Sequence, residues 1–219
     1  MSGGMDSTVC AAIARDMGYT LAALHVNYQQ RTQEREKKSF HDVAGHYGIT
    51  ERLEVDISYL AAIGGSSLTD QAMEVPQADL QNLEVPNTYV PFRNANMLAI
   101  ATSWAEINGA SCIVIGAVQE DSSGYPDCRQ EFYDAFQKVI DTGTKPDTRI
   151  KILTPIIFLS KKEIVLKGIE LGAPFHLSWS CYKAEEAACG ECDSCALRLR
   201  GFHEAGFTDP LPYQNRPQY

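Results

Sequence analysis

An α/β fold with a doubly wound, mostly parallel sheet is what this chain of 219 residues predicts, on three observations. Helical stripes alternate with short apolar runs of strand length through most of the chain. The runs "TLAALHVNY" and "SCIVIGAV" read as buried strands, as strands covered by helices on either side do. A glycine pair, Gly3-Gly4, stands directly before the first helical stripe, at the kind of loop where such folds hold ligands.

Each element follows in turn. After the opening loop, Val9, Ala12 and Ile13 begin a helix that Gly18 stops. "TLAALHVNY" (20–28) reads as a buried strand. From Gln33, the residues Phe40, Val43, Ala44 and Tyr47 repeat at i, i+3, i+4 and i+7, and Gly48 ends that helix. "ERLEVDI" alternates as a strand. Residues 62–90, with "GGSS" and two prolines, break the rhythm and read as a long loop with little regular structure, of the kind that is usually functional. A helix over 94–108 presents Met97, Ile100, Ala101 and Trp104 on one face. "SCIVIGAV" (111–118) is the clearest buried strand. The loop "QEDSSGYPDCRQ" leads to a helix carrying Phe132, Phe136, Val139 and Ile140, and "RIKILTPI" supplies a further strand. Ser160-Lys161-Lys162-Glu163 is a capping-box pattern opening a helix that ends near Gly172. From about Ser178 the chain is cysteine-rich and then proline-rich, without clear periodicity. The expected division is a nucleotide-binding α/β domain over 1–177 and a small metal-binding segment over 178–219.

Composition narrows the function. Hydrophobic residues make up 44% of the chain, no repeat is visible, and no apolar run reaches the roughly 18 residues of a membrane span. The first residues form no secretory signal, so a cytoplasmic location is expected and no membrane partner. The net charge is −9, and the most basic stretch, "RTQEREKK" (31–38), is interrupted by glutamates and reads as a solvated helix face. A nucleic-acid partner is therefore not expected. The five histidines show no ligand spacing.

Two motifs carry chemistry. In Ser2-Gly3-Gly4-Met5-Asp6-Ser7-Thr8 the glycines let main-chain N–H groups approach an oxyanion, the hydroxyls add donors, and the following helix turns its positive end to the same place. Asp6 would repel a phosphate directly, so its expected work is to hold Mg²⁺ or cap the helix. A plain glycine turn is the alternative. The loop lacks the lysine of a Walker A sequence. The second motif is "CYKAEEAACGECDSC", where four of the seven cysteines, Cys181, Cys189, Cys192 and Cys195, are separated by seven, two and two residues. Four thiolates without histidine suit one structural Zn²⁺ per chain in a closed tetrahedral site; an iron–sulfur cluster is the chemical competitor.

The opening loop resembles the pyrophosphate loop of the N-type ATP pyrophosphatases, which share a Rossmann-like, adenine nucleotide alpha hydrolase-like fold. "VPNTYVPFRNANM" (85–97), "SSGYPDCRQEF" (122–132) and "TPIIFLSKKEI" (154–164), in order with that loop and the cysteines, look like the 7-cyano-7-deazaguanine synthase family of queuosine biosynthesis. The likeness runs from Ser2 to about Gly201. It implies that ATP, with Mg²⁺, activates 7-carboxy-7-deazaguanine, that ammonia gives the amide, and that a second activation gives the nitrile. It further implies that Ser2, Gly3, Gly4, Met5, Asp6, Ser7, Thr8 and Asn94 bind the nucleotide. Asp6, Lys161 and Arg93 would act in catalysis, and Tyr125, Asp127 and Arg129 would hold the deazapurine. A homodimer is also implied. Cys128 has no necessary role in adenylation and reads as a structural thiol.

The chain departs from that family in places. Phe92 stands where the family commonly has glycine, and Val118 and Gln119 where it tends to carry Cys and Glu, changes that would touch the pocket rim. The family also places a buried strand before the loop, whereas Met1 alone precedes it here, so the expectation is a start downstream of the natural one. Two other readings remain open on the residues: another pyrophosphatase-type synthetase or tRNA thiolase, and a non-catalytic zinc module.

Overall fold

The computed structural model describes residues 1–81, 84–119 and 124–219. In chain order the elements are α1 (Met5–Asp16), β1 (Ala23–Asn27), α2 (Gln33–His46), β2 (Arg52–Asp56), α3 (Tyr59–Ile63), α4 (Arg93–Asn108), β3 (Cys112–Val114), α5 (Gln130–Gly143), β4 (Lys151–Leu153), α6 (Lys161–Glu170) and α7 (Asp193–Glu204). Single 3-10 turns occupy Pro126–Cys128 and Phe175–Leu177.

All strand pairing is parallel, as expected where a helix crosses over between consecutive strands. β1 pairs with β2, from Ala23 opposite Arg52 to Asn27 opposite Asp56, and α2 makes the crossover. β3 pairs with β4, Cys112 opposite Lys151, with α5 between them. Among the described residues the sheet is thus two parallel pairs rather than one continuous ladder. The main chain of Met1 runs beside β1: its amine donates to the Leu24 carbonyl, and its own carbonyl lies 3.3 Å from His25 Nδ1.

Packing explains the order. Val9 of α1 and Ile164 and Val165 of α6 close around Ile156, all wholly buried. Burying each such side chain stabilises the fold by about 1.5–3 kcal/mol relative to exposure. Phe175 and Phe202 complete this cluster, and Gly168 makes room for the Phe175 ring, since a Cβ there would lie 2.2 Å from its Cζ. The capping box of α6 forms as read, with Glu163 N donating to Ser160 Oγ at 3.3 Å and Ser160 N to Glu163 Oε2 at 2.8 Å.

The structure corrects three readings. The run 111–118 pairs as a strand over Cys112–Val114 alone, although Ile115 N still donates to the Leu153 carbonyl at 3.0 Å. The long loop begins inside α3, and its positions 82 and 83 lie outside the described residues. Its early part is anchored by Arg31, whose guanidinium donates to the carbonyls of Ser67 (2.6 Å), Asp70 (2.8 Å) and Met73, so this cation of the basic stretch is a loop anchor rather than a solvated charge. The C-terminal stretch, read as aperiodic, contains the twelve-residue helix α7. Its inner face is Cys195, Ala196, Leu199 and Phe202, a helical spacing hidden while the cysteines are counted only as metal ligands.

Candidate active site

The opening loop turns directly into α1. Gly4 is the residue before the first turn, and the hydroxyls of Ser7 and Thr8 donate to its carbonyl at 3.0 and 2.9 Å. Ser2 Oγ accepts from Gly4 N at 3.2 Å and lies 3.3 Å from Ser7 Oγ. These bonds fold the loop into a ring over the helix N-terminus, whose free N–H groups and dipole favour an anion. Thr8 is wholly buried, so its hydroxyl holds the ring from inside. Gly3 is required for a reason other than ligand approach. Its φ is +79°, and a Cβ would stand 2.6 Å from Phe40 N and 2.9 Å from the Glu36 carbonyl, so glycine here lets α2 touch the loop.

Lys161, the first residue of α6, points back to this ring and donates to Asp6 Oδ2 at 2.7 Å. Its side chain is 8% exposed against 28% for Asp6. The other carboxylate oxygen, Asp6 Oδ1, is buried and has no hydrogen-bond partner. A buried, unpaired carboxylate oxygen beside an anion-attracting helix end suits a cation that travels with phosphate.

Across the space lies Arg93, which opens α4. Its Nη1 donates to the Tyr28 hydroxyl at 3.1 Å and its guanidinium stacks over the Tyr28 ring at 5.4 Å, while Nε is buried and unpaired. Burial pushes the Tyr28 phenol up to about 12, so the group facing Arg93 is neutral. Arg93 forms no ion pair among the described residues, an arrangement that suits an anion.

Asn94 and Asp127 fasten to each other. Asn94 N donates to Asp127 Oδ2 at 3.0 Å and Asn94 Nδ2 to the Asp127 carbonyl at 2.9 Å. The carboxylate thereby caps α4 from a distant segment, and the amide holds the 125–129 turn in place. Burial raises the Asp127 carboxyl above its ordinary value, and its Oδ1 is unpaired. Tyr125, fixed by a 2.8 Å bond from its hydroxyl to Thr88 Oγ1, faces the space. Burial pushes the Cys128 thiol up to about 11, which keeps it protonated near neutral pH and argues against a nucleophilic role. Arg129 is exposed, 3.7 Å from Glu131, and is not brought to the others; Ser122 and Ser123 of the same stretch lie outside the described residues.

One cavity of about 160 Å³ is lined by Met5, Asp6 and Lys161 on one side and Arg93, Tyr125 and Cys128 on the other, whereas Ser2, Gly3, Gly4, Ser7, Thr8, Asn94 and Asp127 stand outside its lining. Sequence reasoning missed several of its residues. Gly116 lies after β3, and a Cβ on it would stand 3.0 Å from Asp6 C and Ser7 N, so it admits the phosphate-loop turn against the strand end. Ser180, Tyr182, Ser194 and Arg198 also line the cavity, and all four come from the cysteine-bearing segment. Arg198, 1% exposed, grips Asp209 with two bonds of 2.7 and 2.9 Å and also donates to Ser178 Oγ and the Phe175 carbonyl. A lone arginine in a helix carries no sequence signal of such a partner.

The four cysteines are buried, and their sulfurs lie within 4.8 Å of one another. A tetrahedral shell with bonds of about 2.3 Å has sulfur–sulfur edges of roughly 3.8 Å, and Cys189 Sγ is 3.9 Å from Cys195 Sγ. The N–H groups of Lys183, Ala184 and Cys189 each point at Cys181 Sγ at 3.3 Å, and Glu191 N at Cys189 Sγ at 3.4 Å. Donors aimed at sulfur favour thiolates, so the set fits a tetrahedral metal ion.

The family model described as queuosine biosynthesis protein QueC matches residues 1–206. The chain is 63% identical to a 7-cyano-7-deazaguanine synthase of Chlorobium phaeovibrioides, over 100% of this chain and 96% of the relative. It is 60% identical to proteins of the same description from Chlorobaculum tepidum, covering 100% of this chain and 96% of the relative, and Chloroherpeton thalassium, covering 100% and 97%.

Proposed function

The chain belongs to the queuosine biosynthesis protein QueC family, and from that premise we propose that it is an ATP-dependent synthase converting 7-carboxy-7-deazaguanine and ammonia into 7-cyano-7-deazaguanine. The observation that carries this reading is the single cavity in which the phosphate-loop pair Asp6–Lys161 faces Arg93 and Tyr125.

A carboxylate cannot be displaced by ammonia until one oxygen becomes a leaving group. In the first activation, a substrate carboxylate oxygen bonds to the α-phosphorus of ATP and pyrophosphate leaves into the ring formed by Ser2, Gly3, Gly4 and Ser7, at the α1 N-terminus. Arg93 holds the carboxylate at the attacking position, and the Lys161 ammonium stabilises charge as the phosphates separate. Mg²⁺ carried with ATP would neutralise phosphate charge, and Asp6 Oδ1 is the free oxygen that would hold it. Ammonia then bonds to the acyl carbon, AMP leaves and one proton is lost, giving the amide. Activation of the amide oxygen by a second ATP, followed by loss of AMP and two protons, gives the nitrile. Both activations use one site.

Zn²⁺ on Cys181, Cys189, Cys192 and Cys195 would be structural, holding the 178–219 segment on the nucleotide-binding part, 1–177. A homodimer and a cytoplasmic location belong to the same reading; among the described residues no helix is long and apolar enough to cross a membrane.

Mass spectrometry of the protein with 7-carboxy-7-deazaguanine, ATP, Mg²⁺ and ammonium tests the proposal. The expected result is a nitrile product with pyrophosphate release. Consumption of ATP with some other carboxylate, and none with this one, would overturn it.

A further inference from the structure

The cysteine-bearing segment reaches well beyond its own four sulfurs. Cys181 stands between Ser180 and Tyr182, and both neighbours line the active cavity. Tyr182 is half-buried and packs against two clusters at once: the cysteine cluster with Trp179, and the cluster of Val26, Tyr28 and Val90 beside β1. Tyr125 lines the same cavity and is itself held by the 2.8 Å bond from its hydroxyl to Thr88 Oγ1. Arg93 lines that cavity with both tyrosines, and Tyr28 belongs to the cluster that Tyr182 packs against. The segment is also tied to the phosphate side, because Trp179 N donates to the Gly3 carbonyl at 2.8 Å and Thr32 Oγ1 to the Cys181 carbonyl at 3.2 Å.

We infer that Tyr182 is a specificity-determining residue that, with Tyr125, holds the planar heterocycle of the substrate, and that the metal-bound segment is thereby one wall of the substrate chamber. The inference rests on the synthase reading above. Its physical basis is that two phenol rings flank a cavity whose charged groups, among the described residues, are Lys161 and Arg93, suited to phosphate and carboxylate, Asp6, suited to a cation, and the internally paired Arg198. The remaining apolar faces suit an uncharged aromatic ring system. Cys181 fixes the main chain beside Tyr182, and packing against the Val26, Tyr28 and Val90 cluster holds its side chain.

Tyr182→Ala and Tyr182→Phe, each checked for one zinc per chain and for thermal midpoint, test this by steady-state kinetics and by calorimetric binding of 7-cyano-7-deazaguanine without ATP. Loss of an aromatic stacking partner costs about 1–3 kcal/mol per base, roughly 5- to 150-fold in affinity. The expected result for Tyr182→Ala is a KM for the deazapurine and a Kd for the nitrile raised by that factor, with the KM for ATP within about twofold of the parent. Tyr182→Phe keeps the ring and should recover most of the loss. An unchanged deazapurine KM, equal losses for both substrates, or loss of zinc in the alanine variant would overturn the inference. If the parent protein itself neither binds nor converts the deazapurine, the synthase reading fails first, which separates the two.

Discussion

Lys161 carries its charge into a nearly closed setting, and Asp6 at 2.7 Å neutralises it. Asp6→Ala should therefore abolish turnover while one metal ion per chain remains bound, checked by product assay and metal analysis on the same sample. Normal turnover in that variant would remove the role assigned to the loop. The alanine variant should also lose stability, by about 3 kcal/mol or less given the partial exposure of Asp6, because a buried ammonium loses its counter-charge. Ser2 to Ser7 stood out because a glycine pair among hydroxyls before a helix is a local motif, while Lys161 and Arg93 were picked out through the likeness of their stretches to the family. Gly116, Tyr182 and Arg198 were not, because what they do depends on contacts between segments far apart in the chain. Gly116 matters only through the turn at Asp6 and Ser7 that a Cβ would strike. Asn94 shows the middle case: its motif was visible, but the bonds to Asp127 that make it a clasp were not.

Among the elements, α7 has the most to lose from a single change. Arg198 and Asp209 are 1% and 0% exposed at their side chains and form a bidentate pair, so Arg198→Ala leaves a carboxylate buried without its partner. The expected cost is about 3–5 kcal/mol, read from urea unfolding. A loss below about 1 kcal/mol would mean that water replaces the guanidinium. Removing the metal with a strong chelator should release the same region. Protease cleavage is expected first within 178–215, while α1 to α6 stay resistant; uniform digestion throughout would show instead that the metal stabilises the whole fold. The capping box of α6 and the stripe of α2 were readable, since caps and 3.6-residue periodicity are written locally. The strand ends were not. β3 stops after three residues where the chain turns to form the cavity wall at Gly116, Ala117 and Val118, although its apolar run continues.

For the molecule as a whole, acid sensitivity follows from His25. It is 1% exposed, and burial is the main cause that lowers its pKa from the ordinary 6.5 to about 4. The unfolded chain binds this proton more readily, so His25 contributes stability above pH 6.5 that is lost as pH falls toward 4. At pH 5 the loss is about 2 kcal/mol from this group. Burial lifts the Glu36 carboxyl in the opposite direction, to about 7, so stability from that group falls as pH rises from about 4.5 through 7. The test is therefore a comparison: the stability difference between pH 7 and pH 5 should be about 2 kcal/mol smaller in His25→Gln than in the parent, and equal differences would refute the assignment. A last consequence concerns the order in which the chain is made. The Gly3 carbonyl waits for Trp179, Asp6 waits for Lys161, and the chamber beside them waits for Ser180, Tyr182 and Arg198. A ribosome delivers the opening loop long before the cysteine-bearing segment that completes the chamber. The chamber thus stays incomplete until the cysteine-bearing segment has been made, and chains whose four cysteines lack a metal are expected to be largely folded and silent.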